Sequence, residues 1–187
     1  NFLSIASCFT HPTAGDFVCD NNDFRDTSAI LGFLSIITTT VSVDADGLTV
    51  TRNRVKALAT TTPGPMVVVA GTMDRLMIVG NYLTCTVANN NVARLLAHGA
   101  LVVTNALIAY NNVYCINTDT ATGGALVTTS ATTGSGIIAY NNVRTRDPNA
   151  VILVTLAAVQ YGLFENRHQG DATTTSGYVI PALGTDT

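Results

Sequence analysis

The chain has 187 residues, enough for one domain with a sizeable core. Only 11% is charged, against roughly a quarter in an ordinary soluble domain, while 47% is apolar and Thr, Asn, Ser and Gly make up the balance. A net charge of −3 without any Lys/Arg run argues against a nucleic-acid groove, and no apolar stretch nears the ~18 residues of a membrane-spanning helix.

In chain order, "NFLSIASC" (1–8) opens as a strand, and then one frame recurs six times: apolar-x-x-Asn-x-apolar. Its occurrences are "CDNNDF" (19–24), "VTRNRV" (50–55), "IVGNYL" (78–83), "IAYNNV" (108–113), "IAYNNV" again (138–143) and "LFENRH" (163–168). The framed asparagines are Asn22, Asn53, Asn81, Asn111, Asn141 and Asn166, separated by 31, 28, 30, 30 and 25 residues. Two positions before the frames stand Phe17, Leu48, Leu76, Ala106, Gly136 and Tyr161; two positions after them stand Asp26, Ala57, Cys85, Cys115, Thr145 and Gly170. Apolar residues stepping by two mark a strand with one buried face, so each unit reads as strand, bend, strand. Asn suits the bend because it tolerates the left-handed conformation and hydrogen-bonds locally.

Between frames lies a third apolar stretch, always just after a Gly- or Pro-marked turn: "GFLSIITTT" (32–40), "GPMVVVAG" (64–71), "GALVVTN" (99–105), "GALVTTS" (124–130) and "AVILVTLAAV" (150–159). The segment "VANNNVARLLAHG" (87–99) falls outside this grammar and reads as a short helical or loop excursion; with "KALATTTPG" (56–64) it marks the widest part of the solenoid. Three short strands in each unit, six times over, describe a solenoid coil. Nothing repeats with period 3.6, and the β-branched, Asn- and Gly-rich composition opposes helices. In a parallel coil each residue sits ~4.8 Å above its counterpart, so stacked asparagines can form an amide ladder. The repeated "IAYNNV" is then scaffold, written twice because its copies rest on each other.

The frame, the bend asparagine and the three-strand rung resemble the right-handed parallel β-helix of pectate lyases, phage tailspikes and related virion proteins, over roughly residues 2–180. The resemblance implies an all-β fold of about six rungs in a single domain, 1–187, with 175–187 an end cap or extended tail. It says little of function, because this scaffold hosts lyases, hydrolases, adhesins and inert spacers.

Candidate chemistry is sparse. A lyase of this kind pairs acidic calcium ligands with a basic residue on one exposed sheet, and the densest acidic patch is "DNNDFRD" (20–26). Alternation turns its Asp20 and Asp23 to different sides of the bend, so Asp20, Asp23, Arg25 and Asp26 read as solvated charges at a terminal rung. "DADG" (44–47) lacks the downstream acidic ligand of a calcium loop. A hydrolase needs close carboxylates, whereas Asp74, Asp119, Asp147, Glu165 and Asp171 scatter over loop tips and no two acids share stacked positions. Cys8, Cys19, Cys85 and Cys115 form no CxxC pair, and His11, His98 and His168 have no ligand spacing, so zinc is not expected. Cys85 and Cys115 share one frame position, where stacked thiols suit the geometry better than a disulfide dihedral. Tyr110 and Tyr140 also stack, either as a surface ladder or as a sugar-binding ridge or subunit contact. His168 takes the place of a core Val in a capping rung, while His11 and His98 fall in apparent loops.

The expected protein is therefore not an enzyme and has no catalytic residue, metal or cofactor. Its neutral Asn/Ala/Val rungs and Thr-rich turns resemble phage structural proteins, which implies a capsid decoration (cement) subunit on the virion surface. It would be a homotrimer contacting the major capsid protein, with no nucleic-acid or membrane partner. Open sheet ends invite pairing, and the absence of an amphipathic capping helix also points to an assembly partner. The alternative is a tailspike- or adhesin-type β-helix that binds polysaccharide; a lyase with a calcium site comes third.

Overall fold

The computed structural model describes residues 2–3, 7–11, 16–25, 35–39, 47–57, 67–69, 73–87, 96–98, 103–117, 125–129, 134–145, 151–155 and 160–170. These residues form strands, joined where described by short bends. The first passes comprise β1 (Phe2–Leu3), β2 (Ser7–His11) and β3 (Asp16–Asp20), then β4 (Asp23–Arg25), β5 (Ser35–Thr39) and β6 (Gly47–Thr51). The middle passes comprise β7 (Arg54–Ala57), β8 (Val67–Val69) and β9 (Leu76–Val79), then β10 (Tyr82–Val87), β11 (Leu96–His98) and β12 (Val103–Ala109). The last comprise β13 (Asn112–Asn117), β14 (Ala125–Thr129) and β15 (Gly134–Ala139), then β16 (Asn142–Thr145), β17 (Val151–Thr155), β18 (Gln160–Phe164) and β19 (Arg167–Gly170).

Each strand from β1 to β16 pairs in parallel with the strand three places on, which builds three sheets. Sheet A runs β1-β4-β7-β10-β13-β16-β19, sheet B runs β2-β5-β8-β11-β14-β17, and sheet C runs β3-β6-β9-β12-β15-β18. The chain visits them cyclically, one strand per sheet per turn, which is a parallel β-helix. Its register follows the frames: Cys19, Val50, Ile78, Ile108, Ile138 and Leu163 stack along sheet C. Phe24, Val55, Leu83, Val113, Val143 and His168 stack along sheet A.

These two rows are the core. Cys19, Val50, Ile78, Ile108 and Ile138 face inward beside Phe24, Val55, Leu83, Val113 and Val143, and all ten are buried. Each large aliphatic side chain so buried contributes about 1.5–3 kcal/mol. Two charged positions show how the outside is managed. Arg75 reaches Asp16 at 2.8 Å across the intervening strand, and Gly47 lies beneath that bridge, where a Cβ would come within 2.6 Å of the Asp16 carboxylate.

The structure corrects two readings of the third strand. Leu96, Ala97 and His98 belong to β11 and pair with Val67–Val69 and with Val127, Thr128 and Thr129, so residues 96–98 obey the coil grammar. The likeness of "GALVVTN" to "GALVTTS" misled because the two do not stack: Val103 and its successors belong to β12 in sheet C, whereas Ala125–Thr129 is in sheet B. His98 and His11 accordingly end strands of sheet B instead of lying in loops. Residues 88–95, the rest of the apparent excursion, lie outside the described residues, as do Asp26, Asp44, Asp46, Asp119, Asp147, Asp171 and the 175–187 segment.

Candidate functional site

The most regular feature is the corner where each sheet C strand turns into the next sheet A strand. The residue before each framed asparagine is left-handed: Asn21 (φ 55°), Arg52 (53°), Gly80 (69°), Tyr110 (56°), Tyr140 (55°) and Glu165 (42°). The left-handed bend therefore sits one position earlier than the sequence suggested, and five of its six occupants are not glycine. Such a conformation costs an L-residue roughly 1–2 kcal/mol. What holds it is the asparagine that follows.

The framed side chains of Asn53, Asn81, Asn111 and Asn141 bond in both directions, while Asn22 and Asn166 at the ends bond inward along the stack. Nδ2 of Asn22, Asn53, Asn81, Asn111 and Asn141 donates to Oδ1 of the asparagine one rung on, at 2.9–3.1 Å. The same Oδ1 atoms accept the backbone N–H of the preceding asparagine at 2.9–3.0 Å. The second Nδ2 hydrogen of Asn53, Asn81, Asn111, Asn141 and Asn166 goes to a carbonyl one rung back, on Cys19, Val50, Ile78, Ile108 and Ile138, each at 2.8 Å. In the four buried members, Asn53, Asn81, Asn111 and Asn141, both amide hydrogens and the amide oxygen are occupied. Asn22 and Asn166, at the two ends, are half-buried. Burying an amide without partners costs several kcal/mol, and here partners are complete. The ladder is structural: its groups are spent on one another and offer nothing to a substrate.

Outside the corner, the stacked aromatics Tyr110 and Tyr140 have ring centroids 5.0 Å apart and planes 10° from parallel. They are 60% and 46% exposed, so the pair presents ring surface to solvent. At the first corner, Arg52 donates to Asp20 through Nε at 2.8 Å and pairs with it through its terminal nitrogen, while the Thr51 hydroxyl donates at 2.7 Å. The Arg52 and Thr51 hydrogen bonds hold the Asp20 carboxyl down from 3.8 to about 2, and the same contact raises Arg52. Asp16 and Asp20 are thus each engaged by an arginine.

The remaining candidates are dispersed. Cys19 is a buried thiol whose sulfur accepts from Asn22 Nδ2 at 3.5 Å and donates to Asn53 Oδ1 at 3.6 Å. Cys85 and Cys115 pair in register, and their side chains lie outside the described residues, as does that of His168 opposite Val143. Among the described residues no three His, Cys, Asp or Glu side chains group to hold a metal ion, and no helix is long and apolar enough to cross a membrane.

Two outer faces flank the corner. On sheet C the outward row is Val18, Thr49, Met77, Leu107, Ile137 and Gly162, mostly apolar. Val18 is 63% exposed, Met77 40% and Ile137 43%. On sheet A one outward row is Asp23, Arg54, Tyr82, Asn112, Asn142 and Arg167; two residues on, Lys56, Thr84, Tyr114 and Arg144 form a second. Sequence reasoning missed both faces, although the signal stood in the variable positions of the frame. Those positions are aligned by the same repeat that aligns the core.

No protein-family model, curated protein or solved structure matches this chain. The fold and these faces are therefore the ground for a functional reading.

Proposed function

We propose that the protein is a structural virion subunit, a decoration (cement) protein that braces a phage head through non-covalent contacts and acts as a homotrimer seated on the major capsid protein. The observation that carries this reading is the outward row of sheet C, where Val18, Met77 and Ile137 stand exposed on alternate strands with half-buried Thr49 and Leu107 between them. An aligned apolar row on a sheet face is matter for burial against another subunit, at about 25 cal/mol per Å² of apolar surface removed from water. The low overall charge supports the same reading, since a surface meant for a neighbour does not need a dense ionic coat. No chemical step is involved: a subunit that binds only the assembled shell stabilises it by mass action.

The test is the disassembly of particles with and without the protein. Shells that carry it are expected to withstand heat or chelation better, and protein added back to stripped shells restores the difference. Equal disassembly in both preparations would sink the reading. A second reading, a polysaccharide-binding adhesin, is favoured by the exposed Tyr110–Tyr140 stack, because sugar rings pack on aromatic faces. Cleavage has less support: glycosidase carboxylates stand within ~10 Å of each other with one free to move a proton, whereas Asp16 and Asp20 are held by Arg75 and Arg52.

A further inference from the structure

We propose that the outer face of sheet A binds a linear acidic polysaccharide, one that carries carboxylate or sulfate groups. The inference goes beyond the decoration role, because it concerns a different face and a different partner.

The first observation is a separation of charge. Of the chain's nine Lys and Arg, five lie on sheet A strands: Arg25, Arg54, Lys56, Arg144 and Arg167. The same strands carry one of its twelve acids, Asp23, so a chain of net charge −3 presents one cationic sheet. Successive members of this set are 29, 2, 88 and 23 residues apart in sequence, and only the stacked register gathers them. Among the described residues, Arg54, Lys56, Arg144 and Arg167 enter no ion pair, unlike Arg52 and Arg75 at the corner and on sheet C.

The second observation is how two of the arginines are held. The Arg54 guanidinium lies over the Tyr82 ring, 5.8 Å from its centroid, and the Arg144 guanidinium lies over the Tyr114 ring at 5.4 Å. A ring beneath a guanidinium fixes its plane without consuming its N–H donors, which remain directed to the fork geometry that matches a carboxylate or sulfate. The backbones of the two braced arginines stand three strands and two residues apart, about 16 Å at the usual strand spacing and rise, and their guanidinium groups lean toward each other over the two strands between. Around them lie Thr84 and Asn112 on the intervening strands and Asn142 on the strand of Arg144, neutral hydroxyl and amide groups of the kind that hydrogen-bond sugar hydroxyls. Asn142 and Asn112 already bond to each other at 3.3 Å along the row. A flat strip with spaced cations and neutral polar groups between them fits a chain whose charges are spaced by sugar rings. A nucleic acid fits it less well, because base stacking needs open aromatic faces and here the arginines occupy the rings.

The test is affinity electrophoresis of the full chain through gels containing alginate, heparin, neutral dextran, poly-dT or poly-glutamate. Retardation by alginate or heparin and not by dextran, weakening as salt rises, is expected; alginate against heparin distinguishes carboxylate from sulfate. Arg54→Gln and Arg144→Gln are each expected to weaken binding about tenfold, the order of one hydrogen-bonded charge pair. Arg144→Lys should lose part of that, while Arg75→Gln on sheet C should change nothing. Circular dichroism verifies that each variant is folded. The proposal is overturned by migration unaffected by both anionic glycans, by retardation that survives the Arg54→Gln/Arg144→Gln pair, or by stronger retardation with poly-dT or poly-glutamate.

Discussion

At the scale of single residues, the corner sets a strained backbone position against a saturated amide. Asn111 accepts from Asn81 N–H and Nδ2 and donates to Ile78 O and Asn141 Oδ1. Asn111→Ala strands several of these buried groups at about 1–3 kcal/mol each, so urea unfolding should show a loss of about 3–5 kcal/mol. The half-buried Asn166 should lose roughly half as much on the same change, since water reaches its partners. Gly80 is the one left-handed corner residue without a Cβ, and Gly80→Val is expected to destabilise by about 1–2 kcal/mol through backbone strain. Asp20 gives a pH signature. Its carboxyl is lowered to about 2 by Arg52 and Thr51, so whatever stability the contact supplies is full above the unfolded value of 3.8 and is lost as pH falls toward 2. Carboxyl carbon shifts should titrate near 2 in the parent protein and move upward in Arg52→Gln, short of the unfolded value because the Thr51 hydroxyl still donates to the carboxylate. The framed asparagines themselves were legible in sequence because a buried amide must be paired in every rung. The left-handed residue beside them was not, since Asn, Arg, Gly, Tyr and Glu share no letter-level signal for a conformation imposed by the hydrogen bonds of the next residue.

At the scale of strands and sheets, sheets A and C were readable because alternation along the strand and identity between rungs point to the same positions. Sheet B was harder. Its strands carry no invariant residue, and "GALVVTN" imitates "GALVTTS" while belonging to another sheet. The break in register between Val103 and Ala106, with Asn105 left-handed at φ 58°, is where that segment departs from its neighbours. The exposed row of sheet C makes a prediction at this scale. Met77→Lys with Ile137→Lys replaces outward apolar groups, so the monomer's stability should stay within about 0.5 kcal/mol, as for ordinary surface changes. Analytical ultracentrifugation should nevertheless show loss of the proposed trimer. If the oligomer persists unchanged, sheet C is not the contact between copies.

At the scale of the whole molecule, one repeat does two things. Stacked inward letters build a core and an amide ladder, and stacked outward letters sort the surface into an apolar sheet, an aromatic corner and a cationic sheet. The scaffold was legible in the sequence because repetition is what stacking demands. The surfaces were not, because Arg54, Lys56, Arg144 and Arg167 form no run and only the turn of the coil makes them neighbours. The buried amides of Asn53, Asn81, Asn111 and Asn141 are committed to the fold, so the outward rows are what the described residues offer to a partner. The most direct measurement is the position of the protein in a purified particle, by cryo-electron microscopy with the chain labelled. Icosahedrally arranged density on the outside of the head is expected, with sheet C turned toward a neighbouring subunit. Density confined to the tail tip would contradict the decoration role and leave the polysaccharide-binding adhesin in its place.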